Sequence, residues 1–131
     1  MSLLKPSLGD LIDRFSILTL KKRYSDSEHF REESIAVGTA VTERMKGLSI
    51  LLRKEIGALG IDVLNVNTLL WKRTDEHYQT DWCSVDYDSQ TSDRACKLLV
   101  EIMNLNKERI RLKEEIDKLS GEFLGREKID V

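Results

Sequence analysis

Residues 98–119 have the sequence LLVEIMNLNKERIRLKEEIDKL, which carries the clearest structural signal in the chain. One set of positions recurs at alternating spacings of four and three, as expected for one face of an α-helix. These positions are Leu98, Ile102, Leu105, Arg109, Leu112, Ile116 and Leu119. The pattern predicts a helix from about Gln90 to Ser120, with polar Ser92 and Asp93 near its start and Gly121 at its end.

A second seam with the same spacing lies in the first half of the chain. Its members are Val37, Val41, Met45, Leu48, Leu52, Ile56 and Leu59. They predict a helix from about Glu28 to Ala58, which Gly57 and Gly60 would end. Because two long helices with matching seams bury each other well, we expect this second helix and the last helix to form an antiparallel, coiled-coil-like hairpin.

Two further helices complete the predicted fold. The first begins after Pro6 with Ser7 as its cap, and its two neighbouring apolar stripes indicate a wide buried face at the centre of a bundle. A shorter helix is predicted from about Asn65 to Tyr78, followed by a loop over residues 80–89. The predicted fold class is therefore an all-α bundle of about four helices, with residues 1–131 forming a single domain.

The composition agrees with this fold and argues against several partners. Charged residues make up 34% of the chain, aromatic residues 6%, and there is one proline. The net charge of −2 and the mixing of both signs give no reason to expect binding to nucleic acid or to an anionic membrane. No segment has the roughly 20 consecutive apolar residues of a membrane span. Two cysteines and the absence of an export signal predict a reduced, cytoplasmic protein.

Arg109 is the residue that departs most from these patterns, because every other member of its seam is Leu or Ile. A guanidinium at such a position must be paired or must reach water. Asp13, on an apolar stripe of the first helix, and Asp75 are its candidate carboxylates, and the nearby asparagines are candidate supporting hydrogen bonders. The candidate site consists of Asp13, Asn67, Trp71, Asp75, Asn106 and Arg109.

Two interpretations of this site remain open. The residues can form a buried polar network that sets the register of the helices, a known use of polar groups in bundles. They can instead line a pocket for an anion, with Trp71 as a wall on which a ligand stacks. The first interpretation predicts a non-catalytic interaction or oligomerisation module, and the second predicts a phosphate- or sugar-nucleotide-binding protein or enzyme.

Three segments together resemble a bacterial family. Residues 67–75, NTLLWKRTD, are similar to an Asn-x-x-Leu-Trp-x-x-Glu-Asp element, and residues 102–117 are similar to a closing Ile-Asp-x-Leu-Asn-x-x-Arg…Ile-Asp helix. Residues 7–21, SLGDLIDRFSILTLK, resemble the opening helix of the same group, the domain-of-unknown-function 4254 proteins. The resemblance implies an all-α fold and an association with sugar-transfer and cell-envelope genes. The chain departs from the family pattern at Thr74, where the family has Glu, and at Ile110, where it has Asn.

Signatures of enzymes and metal sites are incomplete. Glu114 and Asp117 match half of the acidic set with which helical nucleotide pyrophosphohydrolases hold Mg²⁺, but Ala36 stands where Glu32-Glu33 would need a third acid. His77 and Cys83 lack the paired spacing of zinc ligands. We therefore expect no metal and no cofactor, lean against an enzyme, and expect a homo-oligomer, most simply a dimer, whose other protein partners the sequence does not identify.

Overall fold

A computed structural model describes residues 5–25, 28–79 and 89–121 of the chain. These residues form four helices: α1 (Leu8–Ser25), α2 (His29–Lys46), α3 (Ile50–Gln79) and α4 (Ser89–Ser120). The part of the chain that is described contains no strand, so the predicted all-α bundle of about four helices is confirmed. None of the described helices is both long and apolar enough to cross a membrane.

The two longest helices, α3 and α4, pack against each other along their length. Arg73 Nε lies 2.7 Å from a Glu101 carboxylate oxygen at one end of this pair. At the other end Leu59 and Leu119 line the same groove. Because position numbers rise along α3 as they fall along α4, the helices are antiparallel. The predicted long hairpin is confirmed, and α3, not the helix predicted from Glu28, is its first member.

The boundaries predicted for the middle of the chain were wrong. The segment from Glu28 to Ala58 contains a break, since α2 ends at Lys46 and α3 begins at Ile50. Gly47 follows α2, and the hydroxyl of Ser49 accepts a 3.2 Å hydrogen bond from the backbone N–H of Leu52, which caps the start of α3.

The helix predicted separately from about Asn65 to Tyr78 is the second half of α3, which has 30 residues and a length of about 45 Å. Gly57 and Gly60 do not end a helix, and the segment between 61 and 64 is helical as well. Ile56 and Val63, on either side of the two glycines, have no exposed surface. Their burial stabilises the helix by more than the roughly 1 kcal/mol that an exposed helical glycine costs.

Helix α1 packs against each of the other three helices, which confirms its predicted central position. Phe15 packs against Gly38 of α2, while Asp13 contacts both Asn67 of α3 and Arg109 of α4. As predicted, Ser7 caps α1: its hydroxyl accepts a 3.1 Å hydrogen bond from the backbone N–H of Asp10.

One cluster of buried apolar side chains lies at the end of the bundle where α1 begins. Its fully buried members come from three helices, and they are Leu8, Ile56, Val63, Leu112 and Ile116. Val41, Met45 and Leu48 pack against them from α2 and its following turn. The predicted second seam thus does face one core, but a turn divides it between two helices.

Helices α1 and α4 approach each other closely at Gly9. A β-carbon there would lie 2.5 Å from the backbone oxygen of Lys113 and 2.8 Å from Asp117 Oδ1. The backbone N–H of Gly9 donates a 2.8 Å hydrogen bond to this Asp117 oxygen. The carboxylate therefore lies at the start of α1, where the helix dipole favours negative charge. This contact places the next turns of α1 and α4 side by side.

Candidate functional site

The centre of the site is a bidentate pair between Asp13 of α1 and Arg109 of α4. Arg109 Nε donates to Asp13 Oδ1 at 2.8 Å, and Nη2 donates to Oδ2 at 2.5 Å. The Asp13 side chain is 5% exposed, whereas that of Arg109 is 29% exposed. The guanidinium thus covers a buried carboxylate on one side and reaches solvent on the other. Its planar fork matches the carboxylate, which makes this kind of pair stronger than a single charged contact.

Asn67 of α3 joins the pair to a third helix. Its Nδ2 donates to Asp13 Oδ1 at 2.9 Å and to Ser16 Oγ at 2.6 Å. Ser16 itself donates to the backbone oxygen of Asp13 at 2.8 Å, so its oxygen is available as an acceptor. Because both partners of the Asn67 amide are acceptors, the NH₂ group must face them and the amide oxygen must face away. All three helices of the site are therefore linked through Asp13.

Lys113, one turn beyond Arg109, adds a second positive charge. Its ammonium lies 3.0 Å from an Asp10 oxygen and 3.8 Å from Asp13 Oδ2. Burial raises the pKa of Asp13, but hydrogen bonds from Arg109 and Asn67 and the charges of Arg109 and Lys113 outweigh it, so this pKa lies below its ordinary value. The hydrogen bond to Asp13 raises the pKa of Arg109 against the opposing effect of burial. Both groups are ionised at neutral pH.

Beside this network the helices border an open cleft of about 430 Å³. Its lining residues are Ile17, Leu20, Asn67, Leu70, Trp71, Thr74, Asp75, Asn106 and Arg109. They come from α1, α3 and α4, and the apolar ones form most of the wall. The Trp71 ring stacks on Tyr24 of α1, with centroids 5.5 Å apart and planes 18° apart, which holds the indole in place. A volume of this size accommodates a small molecule.

The six residues singled out in the sequence lie together. Asp13, Asn67 and Arg109 form the hydrogen-bonded network. Trp71, Asp75 and Asn106 line the cleft that Asn67 and Arg109 also line. Of the two candidate carboxylates for Arg109, Asp13 supplies the bidentate contact.

Sequence reasoning missed two members of the network, Ser16 and Lys113. Ser16 follows Asp13 by three residues and is 5% exposed, so it occupies the same buried face of α1. Lys113 follows Arg109 by four residues, a spacing that places both on the same side of α4. The sequence signal that could have identified them is their position, one helical turn from a charged residue that interrupts an apolar stripe.

The metal-binding patterns of the sequence gain no support from the described residues. These residues include no group of three or more His, Cys, Asp or Glu side chains positioned to hold a metal ion. Asp117, half of the partial acidic motif, is fully buried and accepts the Gly9 N–H, whereas Glu114 is exposed. Cys83 and residues 80–88 of the predicted loop lie outside the described residues, and Ser89 begins α4.

Comparisons of the chain with protein-family models, with curated proteins and with solved structures found no match. The resemblance to the domain-of-unknown-function 4254 family therefore stays a prediction. Physically, the site offers a charge-paired link between three helices and, beside it, a cleft with one aromatic wall and several hydrogen-bonding groups.

Proposed function

We propose that this chain is a non-catalytic helical interaction module that pairs with a second copy of itself through α4. The observation that carries the proposal is a stripe of large apolar side chains on the solvent side of α4. Leu99 is 46% exposed, Met103 58% and Ile110 55%. We refer to Leu99, Met103, Asn106 and Ile110 as the α4 stripe.

The spacing of the α4 stripe is that of a helix-pairing seam. Its members are separated by four, three and four residues, the heptad pattern of coiled coils. The opposite face of α4 already packs in the bundle through Leu112 and Ile116, which are 1% and 0% exposed. The stripe is thus a second apolar face on one helix, and burial against another helix would remove it from water.

The symmetry of the stripe favours a second copy as the partner. A two-fold axis that pairs α4 with an antiparallel α4 brings Leu99 of one copy to Ile110 of the other, and Met103 to Asn106. Every position then meets another member of the same stripe.

The polar network supports a structural role over a catalytic one. The Arg109 fork is engaged by Asp13, and both hydrogens of the Asn67 NH₂ group are used within the network. These bonds orient α1, α3 and α4 relative to one another and so hold α4 in position. We further propose a cytoplasmic location, from the cysteine content, and membership of the resembled family, from the three matching segments.

Sedimentation velocity over a wide range of concentrations tests the proposal, with Met103→Glu as the disrupting variant. A buried carboxylate at the centre of the interface should weaken self-association by about 3 kcal/mol, roughly a hundredfold. Lys107→Glu is the matched control, because Lys107 is an exposed residue of the same helix outside the stripe.

A dimer for the wild type and for Lys107→Glu, with a monomer for Met103→Glu of unchanged helix content, is the expected result. A wild type that stays monomeric at the highest concentration would contradict self-pairing. So would a dimer that Met103→Glu leaves intact.

A second candidate function follows from the cleft. Trp71 provides an aromatic wall, and Asn106 and Arg109 provide polar groups, in a volume suited to a small ligand. The sequence prediction for such a ligand is a phosphate or a sugar nucleotide. A saturable rise in melting temperature with one ligand of this kind would support binding, because a ligand that binds only the folded state stabilises it.

A further inference from the structure

The cleft presents a second, outward edge of the Arg109 fork. A guanidinium has five N–H donors, and the contact with Asp13 uses Nε and one hydrogen of Nη2. The other hydrogen of Nη2 and one hydrogen of Nη1 form a further parallel pair of donors. No acceptor for this pair is found among the described residues, and Arg109 lines the cleft. This edge has the geometry to receive one carboxylate end-on.

Next to this donor edge stands an acceptor whose orientation the network determines. Both hydrogens of the Asn67 NH₂ group are directed to Asp13 and Ser16, so the amide oxygen faces away from them. Asn67 lines the cleft. The same oxygen, Asp13 Oδ1, accepts from Asn67 Nδ2 at 2.9 Å and from Arg109 Nε at 2.8 Å. The new donor edge and the new acceptor therefore lie within the span of one small molecule.

The charges around the cleft favour a ligand with a single negative group. Asp13 balances Arg109, and Asp10 balances Lys113 at 3.0 Å. Asp75 adds a carboxylate to the lining. A phosphate dianion or a diphosphate would bring two or more negative charges to a region where the positive ones are already matched. A single carboxylate accompanied by an ammonium adds no net charge.

Most of the remaining wall is apolar. Ile17, Leu20, Leu70 and Trp71 can cover a hydrophobic side chain of several carbon atoms. The small volume of about 430 Å³ suits a free amino acid or a molecule of similar size.

We propose that the cleft between α1, α3 and α4 binds a free α-amino acid with a large apolar side chain. Its carboxylate occupies the outward edge of Arg109, its ammonium donates to the Asn67 oxygen, and its side chain packs on Leu70 and Trp71. This inference rests on the second candidate function, that the cleft binds a small molecule. The ligand that it names is a zwitterionic amino acid, whereas the sequence predicted a phosphate or a sugar nucleotide.

The test uses the fluorescence of Trp71 in the full chain. A Trp82→Phe background removes the other tryptophan, so the emission reports on Trp71 alone. The probes are L-leucine and L-phenylalanine, with glycine, L-leucinamide, N-acetyl-L-leucine, inorganic phosphate and UDP-glucose for comparison. L-leucinamide lacks the carboxylate, N-acetyl-L-leucine lacks the ammonium, and glycine lacks the side chain.

Asn106→Asp and Asn104→Asp are the matched variants. Both residues are exposed on α4, but Asn106 lines this cleft, whereas Asn104 lines a different groove beside Arg73 and Glu101. Each substitution adds one negative charge with almost no change in shape. We expect Asn106→Asp to weaken the binding of L-leucine by about tenfold, because the charge repels the ligand carboxylate. Asn104→Asp should leave it unchanged.

Saturable binding of L-leucine or L-phenylalanine, lost in L-leucinamide and weakened only by Asn106→Asp, is the expected result. Binding of phosphate or UDP-glucose without the amino acids would overturn the inference and leave the second candidate function standing. Binding of no probe at all would overturn both. The interaction module is judged separately, by sedimentation of Met103→Glu. Because Asn106 also belongs to the α4 stripe, binding of L-leucine by Asn106→Asp and by Asn104→Asp is compared at a protein concentration at which both variants have the same oligomeric state.

Discussion

Replacing Arg109 by methionine should destabilise the protein more than replacing Asp13 by asparagine. The asymmetry follows from burial: the Asp13 side chain is 5% exposed, whereas the Arg109 side chain is 29% exposed. Loss of Arg109 leaves a buried carboxylate with only Asn67 and the more distant Lys113 ammonium, 3.8 Å away. Loss of the Asp13 charge leaves a guanidinium that can turn to water.

The magnitudes follow from measured costs of breaking buried pairs. Arg109→Met should lower the free energy of unfolding by about 3 kcal/mol, or the melting temperature by about 10 °C for a chain of this size. Asp13→Asn should cost about 1–2 kcal/mol. The double variant should cost little more than Asp13→Asn alone, because no charge is then left without its partner. The coupling energy between the two sites is therefore expected to be about 2 kcal/mol or more.

Urea denaturation of the wild type, the two single variants and the double variant completes this cycle. Arg111→Met is the control: Arg111 lies on the same helix and pairs with Glu108 on the surface, so its loss should leave the urea midpoint within experimental error. The reasoning would be refuted if Arg109→Met cost no more than Asp13→Asn, or if the coupling energy were below about 0.5 kcal/mol.

Two other predictions concern the helix contact and acid stability. Gly9→Ala should lower the free energy of unfolding by about 2 kcal/mol, because the new methyl group would lie 2.5 Å from the Lys113 backbone oxygen. Gly57→Ala should instead raise it by up to about 1 kcal/mol, because a methyl group there has no other atom within 4 Å and alanine favours the helix. Equal effects of the two substitutions in thermal melts would contradict the close approach of α1 and α4. The folded-state pKa of Asp13 lies below its ordinary value of 3.8. The stability that its ionisation contributes is therefore complete above about pH 5, and it is lost progressively as the pH falls through the folded-state pKa. Urea titrations at neutral and acidic pH should therefore show the difference between wild type and Asp13→Asn shrinking in acid, and a constant difference would contradict this.

Part of the candidate site follows from the sequence, because a charge such as Arg109 in an otherwise apolar seam must have a partner. The set of acids on buried helix faces is small, which limits the candidates for that partner. The sequence could not decide between Asp13 and Asp75 as the partner of Arg109, because that choice depends on how far α1, α3 and α4 are shifted relative to one another along their axes. Ser16 and Lys113 were missed since each is an ordinary polar residue until its neighbour is known to be part of a network.

The helix boundaries in the middle of the chain could not be predicted from the sequence, because its local signals for the end of a helix conflicted. Gly47 and Ser49 mark the real break, while Gly57 and Gly60 look equally capable of ending a helix. Ser49 supplies a cap for the following helix, a detail readable in the sequence. That α3 continues through two glycines depends on the burial of Ile56 and Val63, which only the packed bundle provides.

The sequence by itself determined the helical class, the last helix with its seam, the cap at Ser7 and the need to pair Arg109, since each is a matter of spacing or of local chemistry. Tertiary structure alone decided that α3 is the partner of α4, that Asp13 receives the Arg109 fork, and that a cleft opens beside it. These features join residues as far apart as Asp13 and Arg109, and such contacts depend on how whole helices are aligned. The physical reason is that the periodicity of a sequence shows which face of a helix is buried. Which residues of the other helices contact that face depends on how all the helices pack together.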